Sequence, residues 1–342
     1  MNLHLVVPTL FWPDRSQSEI YHGLPLPALQ TILAKSQSNE ESEHQLEAWL
    51  CWLFGVDKQR DWPVSPIMLQ LDGEGIDIDG AYWLRADPVH LRIENNHILL
   101  ADSQMLNISL QEAQAFAAFI NAQLVKDGLM LLPLHADRWY MRVHPSPELN
   151  THLLSEVAGR NINHLLPGGR DGVAWNNRIN EIQMLLYDSP LNQAREARGE
   201  LAINSLWLWG GGTRPESIQA PCPEIWSNHP FVQALSQASG AVGRHLPANA
   251  EEWLGEARSG DQMIVLDHLQ KYAFYKDAYA WRNELVSLEQ QWFVPLLQAL
   301  KAKQIKRLAL TAIDDQAGRR FTLTPSSLWK FWAAGRPLQS YV

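Results

Sequence analysis

Short apolar stretches alternate with helical segments at both ends of this chain. A continuous apolar run over residues 3–10 predicts a buried strand, and helical spacing predicts helices over 26–36 and 44–54, the second closed by Gly55 as a typical C-terminal cap. The polar residues 39–43 between these helices predict an acidic loop. The last third of the chain again alternates helices with short apolar strands, which indicates a mostly parallel sheet with crossover helices.

The pattern changes between residues 81 and 149. Two strand-like stretches, separated by a predicted turn at Asn95 and Asn96, precede an amphipathic helix over 109–126 and two further strand-like stretches. This order is typical of a small sheet with a helix on one side. We therefore predict three parts: residues 1–75 begin an α/β core, 76–150 form an inserted α+β domain, and 151–342 supply a helical connection and the rest of the core.

Composition limits the kinds of protein that this chain can be. It has 342 residues, 46% of them hydrophobic and 19% charged, and a formal net charge of −9, which is typical of a globular protein and argues against nucleic-acid binding. The amino-terminal apolar run is interrupted by Pro8, so we expect no signal peptide, membrane span or membrane partner. Two cysteines, Cys51 and Cys222, provide neither a disulfide framework nor a zinc cluster, and we predict a cytoplasmic protein.

The first candidate site is a strand that runs directly into Gly210, Gly211 and Gly212. Glycine lets a backbone approach a ligand closely, and exposed N–H groups there could cradle an anion. The segment lacks the Lys and Ser/Thr of a P-loop, and a tight turn without ligand is the alternative. Polar side chains in or near strand- and helix-forming segments supply further candidates for holding a phosphate or carboxylate, with ion pairing as their alternative role. They are Arg85, His90, Arg92, Asn192, Arg195 and Arg198.

A second candidate site follows the apolar strand MIVL of residues 263–266. Asp267 and His268 stand at the end of this strand, where ligands of α/β sheets bind. They could act as an acid–base pair or as part of a metal site. Alternatively, they form an ordinary strand end with a helix cap and a solvated imidazole.

Several segments resemble archaeal-type cofactor-independent phosphoglycerate mutases of the alkaline phosphatase superfamily. NSLWLWGGGTRP (204–215), preceded by DSPLNQAREARGE (188–200), resembles that family's WLWG segment, and LPALQTILAKS, AWLCWLFGVD and LVSLEQQWFVPLLQALKAKQIKRLALTAIDD resemble other segments in the same order. Together with a carboxy-terminal FW…GRPL, the pattern is also similar to bacterial RpfE-type regulatory proteins. The resemblance implies an alkaline-phosphatase-like α/β fold with a mostly parallel sheet, flanked by helices and carrying a small α+β insertion.

The resemblance also implies a serine nucleophile and Asp and His ligands for two divalent metals, Mn or Zn. In this chain Pro8 and Thr9 stand where an Asp–Gly pair is expected. The nucleophile position falls on Leu46, and a gap would bring Ser42 near it, although a helix cap is the simplest interpretation of Ser42.

Two further ligand motifs are replaced. The segment LQKYAFYKDAYAW leaves only Asp277 of an expected Asp and His pair, and Ile313 and Asp314 stand in place of the terminal Asp–His pair. Asp314 and Asp315 also suit a turn before Gly318. We therefore expect neither metal nor cofactor.

The resulting hypothesis is a catalytically degenerate, phosphoglycerate-mutase-like protein that binds or regulates, with an unidentified small anionic ligand or a protein as partner. The enzymatic alternative is an active mutase or metal-dependent phosphatase with relocated ligands, which would need the two metals. A third possibility is a metal-independent enzyme built on Asp267 and His268. The number of carboxylates and imidazoles that converge on the carboxyl ends of the core strands distinguishes these alternatives.

Overall fold

The computed structural model describes residues 1–43, 45–94, 97–314, 316–330 and 332–341, so the turn predicted at Asn95 and Asn96, and Asp315, lie outside the described residues. The strands, in chain order, are β1 (Asn2–Pro8), β2 (Gln37–Glu41), β3 (Tyr82–Glu94), β4 (His97–Ala101), β5 (Met130–Pro133), β6 (Trp139–Val143), β7 (Ser205–Gly212), β8 (Glu224–Trp226), β9 (Val242–Arg244), β10 (Asp261–Val265), β11 (Arg307–Ile313) and β12 (Gly318–Leu323). The α-helices are α1 (Pro27–Lys35), α2 (Leu46–Leu53), α3 (Val64–Asp72), α4 (Ser103–Leu106), α5 (Leu110–Leu124), α6 (Leu154–Val157), α7 (Gly172–Tyr187), α8 (Pro190–Ala197), α9 (Pro230–Ser239), α10 (Ala250–Glu256), α11 (Gln270–Phe274), α12 (Ala278–Leu288) and α13 (Val294–Lys301), with a π-helical turn, Glu289–Phe293, between the last two.

The chain forms two compact units. Residues 1–54 and 219–342 form one, called the core unit, and residues 55–218 form the other, called the inserted unit. The inserted unit is longer than the predicted 76–150. The reason is that β7 pairs with β3, and Trp175, Ile179 and Ile182 of α7 pack into the same hydrophobic cluster as the insertion's sheet.

The core unit is built on a seven-stranded sheet in the order β2-β12-β11-β1-β10-β8-β9. The strands from β11 to β9 are parallel, and the β12 and β2 pairings at one edge are antiparallel. Leu3, Leu5 and Val7 point to one face of β1 and belong to a hydrophobic cluster that also contains apolar residues of α1, α12 and α13. The predicted α/β class with a mostly parallel sheet flanked by helices is confirmed.

The inserted unit contains a five-stranded sheet, ordered β4-β3-β6-β5, in which β7 pairs with β3. The described pairings in this sheet are antiparallel. Apart from the one-turn helix α4 between β4 and α5 and a 3-10 turn after α5, the elements β3, β4, α5, β5 and β6 follow the predicted order of two strands, a helix and two strands. Phe116 and Ile120 of α5 are buried against the sheet in the unit's own hydrophobic cluster.

Two local predictions in the core unit were wrong. Residues 39–43 were predicted to form an acidic loop, but residues 39–41 belong to β2, at the edge of the sheet, where polar exposed side chains suit a strand that has a partner on one side only. Ser42 does not cap the next helix: α2 begins at Leu46, and its N-cap residue Gln45 makes no side-chain capping bond. Leu46 and Cys51 are buried in this helix.

Candidate functional site

The carboxyl ends of the parallel core strands lie along one edge of the sheet, where α/β proteins place their ligands. Thr9 follows β1 there in a left-handed conformation, with φ of 54°. Its polar groups are occupied: the hydroxyl donates to the carbonyl of Pro8 (2.7 Å), the N–H donates to the carbonyl of Ile313 (2.7 Å), and the carbonyl accepts from the indole of Trp281 (3.0 Å). Thr9 therefore serves the backbone geometry at the end of β1.

Two carboxylates near this edge also hold backbone groups. Asp314, after β11, accepts from the N–H groups of Gln316 (2.8 Å) and Ala317 (2.9 Å), which forms the predicted turn into β12. Asp277 is the N-cap of α12 and accepts from the N–H of Ala280 (3.0 Å). Both side chains thus have structural roles, Asp314 in a turn and Asp277 as a helix cap, which explain their presence.

Asp267 and His268 follow β10 and are partly exposed. The main-chain carbonyl of Asp267 accepts from the N–H of Gln270 (3.0 Å), while among the described residues its carboxylate has no hydrogen bond or ion pair. The imidazole of His268 is not simply solvated, as the alternative supposed. Its Nδ1 is buried and, within the described chain, has no hydrogen-bond partner. This pair therefore has polar groups that the fold itself does not use.

Sequence analysis missed a third polar residue at this edge, His229. It follows β8, which pairs in parallel with β10, and its Nδ1 is likewise buried without a partner among the described residues. In the sequence, the indication of this position was the short run EIW ahead of SNH, but a run of three residues is too short to be recognised as a strand. The carboxylate could accept hydrogen bonds from a ligand, and the two imidazoles could donate hydrogen bonds to it or exchange protons with it.

The structure provides no evident metal site in its described ranges. Within residues 1–43, 45–94, 97–314, 316–330 and 332–341, no group of three or more His, Cys, Asp or Glu side chains is arranged to hold a metal ion. In the same ranges, no helix has the length and apolar character needed to cross a membrane.

The three glycines lie within β7 in the inserted unit, where all three are buried. A Cβ on Gly211 would lie 2.3 Å from the hydroxyl oxygen of Tyr82, and one on Gly212 would lie 2.7 Å from Cβ of Pro63. Glycine is required here because neighbouring side chains of the protein approach the backbone. The segment is thus neither a loop nor a tight turn, and the close approach that we predicted for a ligand is made by the protein itself.

Arg85 is buried on β3 and paired within the fold. Its guanidinium donates to Asp87 through Nε (3.1 Å) and Nη2 (2.8 Å), and it packs over the rings of Tyr140 and Trp209, 5.1 Å from each centroid. Asp87 also accepts from the indole N–H of Trp209 (2.6 Å) and the backbone N–H of Trp139. This arrangement supports the interpretation of Arg85 as an ion-pair residue.

The other candidates on β3 are separate from Arg85. Arg92 is exposed and pairs with Glu94 (2.8 Å), and His90 Nδ1 lies 2.8 Å from the carbonyl oxygen of Ala202. The structure does not bring Arg85 and Arg92 together around one ligand.

Asn192, Arg195 and Arg198 are brought together, but around protein groups. Arg195 is fully buried and pairs with Glu112 (2.8 Å), and Arg198 pairs with the same carboxylate (2.9 Å) and with Glu200 (2.7 Å). These carboxylates neutralise the two arginines.

The amide of Asn192 connects α8 to the segment before β7. It donates to the carbonyl oxygens of Leu186 (2.9 Å) and Ile203 (2.8 Å) and accepts from the N–H of Ile203 (2.9 Å). Its polar atoms thus satisfy buried backbone groups.

The fold and this edge together define an α/β protein with a mostly parallel sheet, a small α+β insertion and a polar carboxyl edge. No family model matches the chain. Its sequence is similar to the 2,3-bisphosphoglycerate-independent phosphoglycerate mutases of Methanosarcina barkeri and Methanosarcina mazei, each 26% identical over 138 residues, or 39% of this chain and 35% of the relative. The match thus spans about a third of the relatives' length, and it makes the chain a distant homologue of these mutases.

Two solved structures match this chain over most of its length. The PH0037 protein from Pyrococcus horikoshii is 11% identical, with a TM-score of 0.57 over 94% of this chain and 87% of that one. The cofactor-independent phosphoglycerate mutase from Thermoplasma acidophilum is 13% identical, with a TM-score of 0.47 over 99% of this chain and 94% of that one. The likeness to the Pyrococcus protein concerns the fold alone.

Proposed function

We propose that this chain is a catalytically degenerate relative of cofactor-independent phosphoglycerate mutase that acts by binding or regulation, in the manner suggested by its resemblance to RpfE-type proteins. One observation carries the proposal. Of the three described carboxylates Asp267, Asp277 and Asp314, the last two accept hydrogen bonds from backbone N–H groups, which leaves Asp267 and the following His268 after β10, with His229 after the neighbouring strand β8.

Two-metal phosphoryl transfer needs more than this set supplies. Two divalent ions stabilise the attacking and leaving oxygens only when several anionic ligands hold them a few ångströms apart. One carboxylate and two imidazoles would leave most of the positive charge of two divalent ions without compensation. The same groups suit a small anionic ligand or a protein partner in the cytoplasm, which are the partners that we propose.

An active enzyme is the second candidate, and the position of Ser42 favours it. β2 ends at Glu41, which is in register with Gly318, and Gly318 is in register with Ile313 at the end of β11. The exposed Ser42 therefore lies at the same edge of the sheet as Asp267. A nucleophile there would serve a mutase or phosphatase that holds Mn or Zn through relocated ligands.

Metal content and turnover test the proposal together. Purified protein is incubated with excess Mn²⁺ or Zn²⁺, desalted and analysed for metal, and it is assayed with 3-phosphoglycerate and p-nitrophenyl phosphate, with and without metal. We expect no retained stoichiometric metal and no turnover above background. Retention of about two ions per chain, as a two-metal site requires, would contradict the proposal.

Matched variants distinguish the two enzymatic alternatives, the metal-dependent one and the metal-independent one. Ser42→Ala is compared with Ser38→Ala, which removes an exposed serine within β2, and Asp267→Asn is compared with wild type. Metal-dependent turnover lost in Ser42→Ala and kept in Ser38→Ala would establish the relocated-ligand enzyme. Turnover that needs no metal and is lost in Asp267→Asn would establish the acid–base alternative built on Asp267 and His268.

A further inference from the structure

The core unit has a cavity of about 260 Å³ at the amino end of its parallel strands, opposite to the edge that carries Asp267. Its floor is formed by the first residues of β1, β10 and β11 together with β12, and its wall by Leu53 at the end of α2 and by Pro221 and Cys222. The whole lining therefore belongs to one compact unit.

The floor of this cavity is polar, which is unusual for a parallel sheet. On β1, Leu3 and Leu5 point into the hydrophobic cluster, so Asn2 and His4 face the opposite side. The register places Arg307 beside Asn2. Parallel sheets with both faces covered normally carry apolar residues on both. A polar floor beneath a void is the arrangement expected where a polar ligand completes the hydrogen bonding.

The floor carries two guanidinium groups and one carboxylate, those of Arg307, Arg320 and Asp261. Arg320 pairs with Glu41 (2.8 Å), and Asp261 accepts a hydrogen bond from the amide of Asn2 (2.8 Å). Arg307 lines the cavity and has no carboxylate within ion-pair distance among the residues that the structure describes. A guanidinium can bind a carboxylate or phosphate through two parallel hydrogen bonds.

His4 also lines this floor and feels the charges of both arginines. Burial, followed by the charges of Arg320 and Arg307, lowers the pKa of His4 to about 3. The imidazole is therefore neutral at physiological pH, and its Nε2 lies 2.8 Å from the hydroxyl of Thr311. The neutral imidazole adds no charge to the cavity.

We propose that this cavity binds a small metabolite bearing a carboxylate or phosphate group, anchored by the guanidinium of Arg307. Its volume lies just below the roughly 300–1,000 Å³ of typical small-molecule pockets, which suits a ligand of few atoms. The site is distinct from the carboxyl edge, so it does not depend on the loss of catalysis proposed above.

Cys222 provides a reporter inside the cavity. It lines the wall and is partly exposed, and burial raises its pKa to about 11, so its alkylation is slow enough to follow at pH 8. Cys51, the second cysteine, is buried in α2 and serves as an internal reference. A ligand seated on Arg307 should shield the Cys222 thiol from the reagent.

The experiment measures alkylation of Cys222 in the full chain with rising phosphate or succinate, against chloride at matched ionic strength. We expect at least one of the two anions to slow labelling saturably, by severalfold or more. Protection by phosphate alone identifies a phosphoryl ligand, and protection by succinate alone identifies a carboxylate. Rates equal to those in chloride for both anions would overturn the proposal.

Substitutions test the role of Arg307. Arg307→Gln should abolish protection, and Arg307→Lys, which keeps the charge without the fork of donors, should weaken it. Lys306→Gln removes a positive charge at the preceding residue, which does not line this cavity. In this variant the anions should protect Cys222 as they do in wild type. Equal protection in wild type and Arg307→Gln, with circular dichroism showing both folded, would refute the assignment.

Discussion

At the residue scale, His4 shows how a partly buried imidazole links stability to pH. It contacts the ring of Trp49 edge-on, with centroids 5.7 Å apart, and burial together with Arg320 and Arg307 lowers its pKa to about 3. In the unfolded chain the pKa returns to about 6.5. The stability associated with the neutral ring is therefore fully present above pH 6.5 and is lost as pH falls toward 3.

We expect His4→Gln to flatten this dependence, because glutamine takes up no proton and can still bond to Thr311. A single site contributes at most about 1.4 kcal/mol per pH unit to the free energy of unfolding. Urea denaturation of wild type and variant at several pH values between 7 and 4 measures the difference. The wild type should lose more stability than the variant, and parallel profiles would contradict the assignment.

At the element scale, α1 depends on a carboxylate from a distant part of the chain. Its N-cap residue, Leu26, makes no side-chain cap. Instead the buried Glu289, in the π-helical turn after α12, accepts from the N–H groups of Ala28 (2.6 Å) and Leu29 (3.0 Å). A π turn widens the helix by one residue and here places Glu289 against the start of α1.

We expect Glu289→Ala to destabilise the core unit by about 2 kcal/mol, since it removes a cap and leaves two buried donors without partners. Gln290→Ala, at the adjacent exposed position of the same turn, is the matched control and should change the free energy of unfolding by less than about 0.5 kcal/mol. Denaturant titration measures both. Equal effects of the two substitutions would show that Glu289 does not act as a cap.

Elements with strong local patterns could be predicted, and those defined by distant pairing could not. β1, α1 and β10 carry apolar runs or helical periodicity, and all were predicted. β2 is a run of exposed polar residues that becomes a strand only because β12 pairs with it, and no local pattern indicates such a strand.

The candidate site shows the same limit. Asp267 and His268 were found because a strong apolar strand precedes them, whereas His229 follows a strand of three residues. β7 was recognised as a strand, but its partner β3 lies more than a hundred residues earlier, so its membership of the inserted unit was invisible in the sequence. The three glycines consequently looked like a ligand site when they were packing positions.

At the scale of the whole molecule, the insertion leaves and rejoins the core unit at neighbouring points. The carbonyl oxygen of Phe54 accepts a hydrogen bond from the N–H of Gln219 at 2.7 Å. The two residues of the core unit that flank the insertion are therefore adjacent. Each unit also has its own hydrophobic cluster. These are the properties of segments that fold independently and tolerate excision.

We therefore expect replacement of residues 55–218 by a short Gly-Ser linker to give a folded core unit in which anions still protect Cys222, because the cavity lining lies wholly outside the excised segment. The matched control deletes residues 76–150, the boundaries suggested by the sequence. That deletion removes β3 and leaves β7 without its partner, so it should give aggregated protein. Cooperative thermal unfolding and size-exclusion chromatography compare the two. A soluble product from the shorter deletion, or an unfolded one from the longer, would contradict the division into two units.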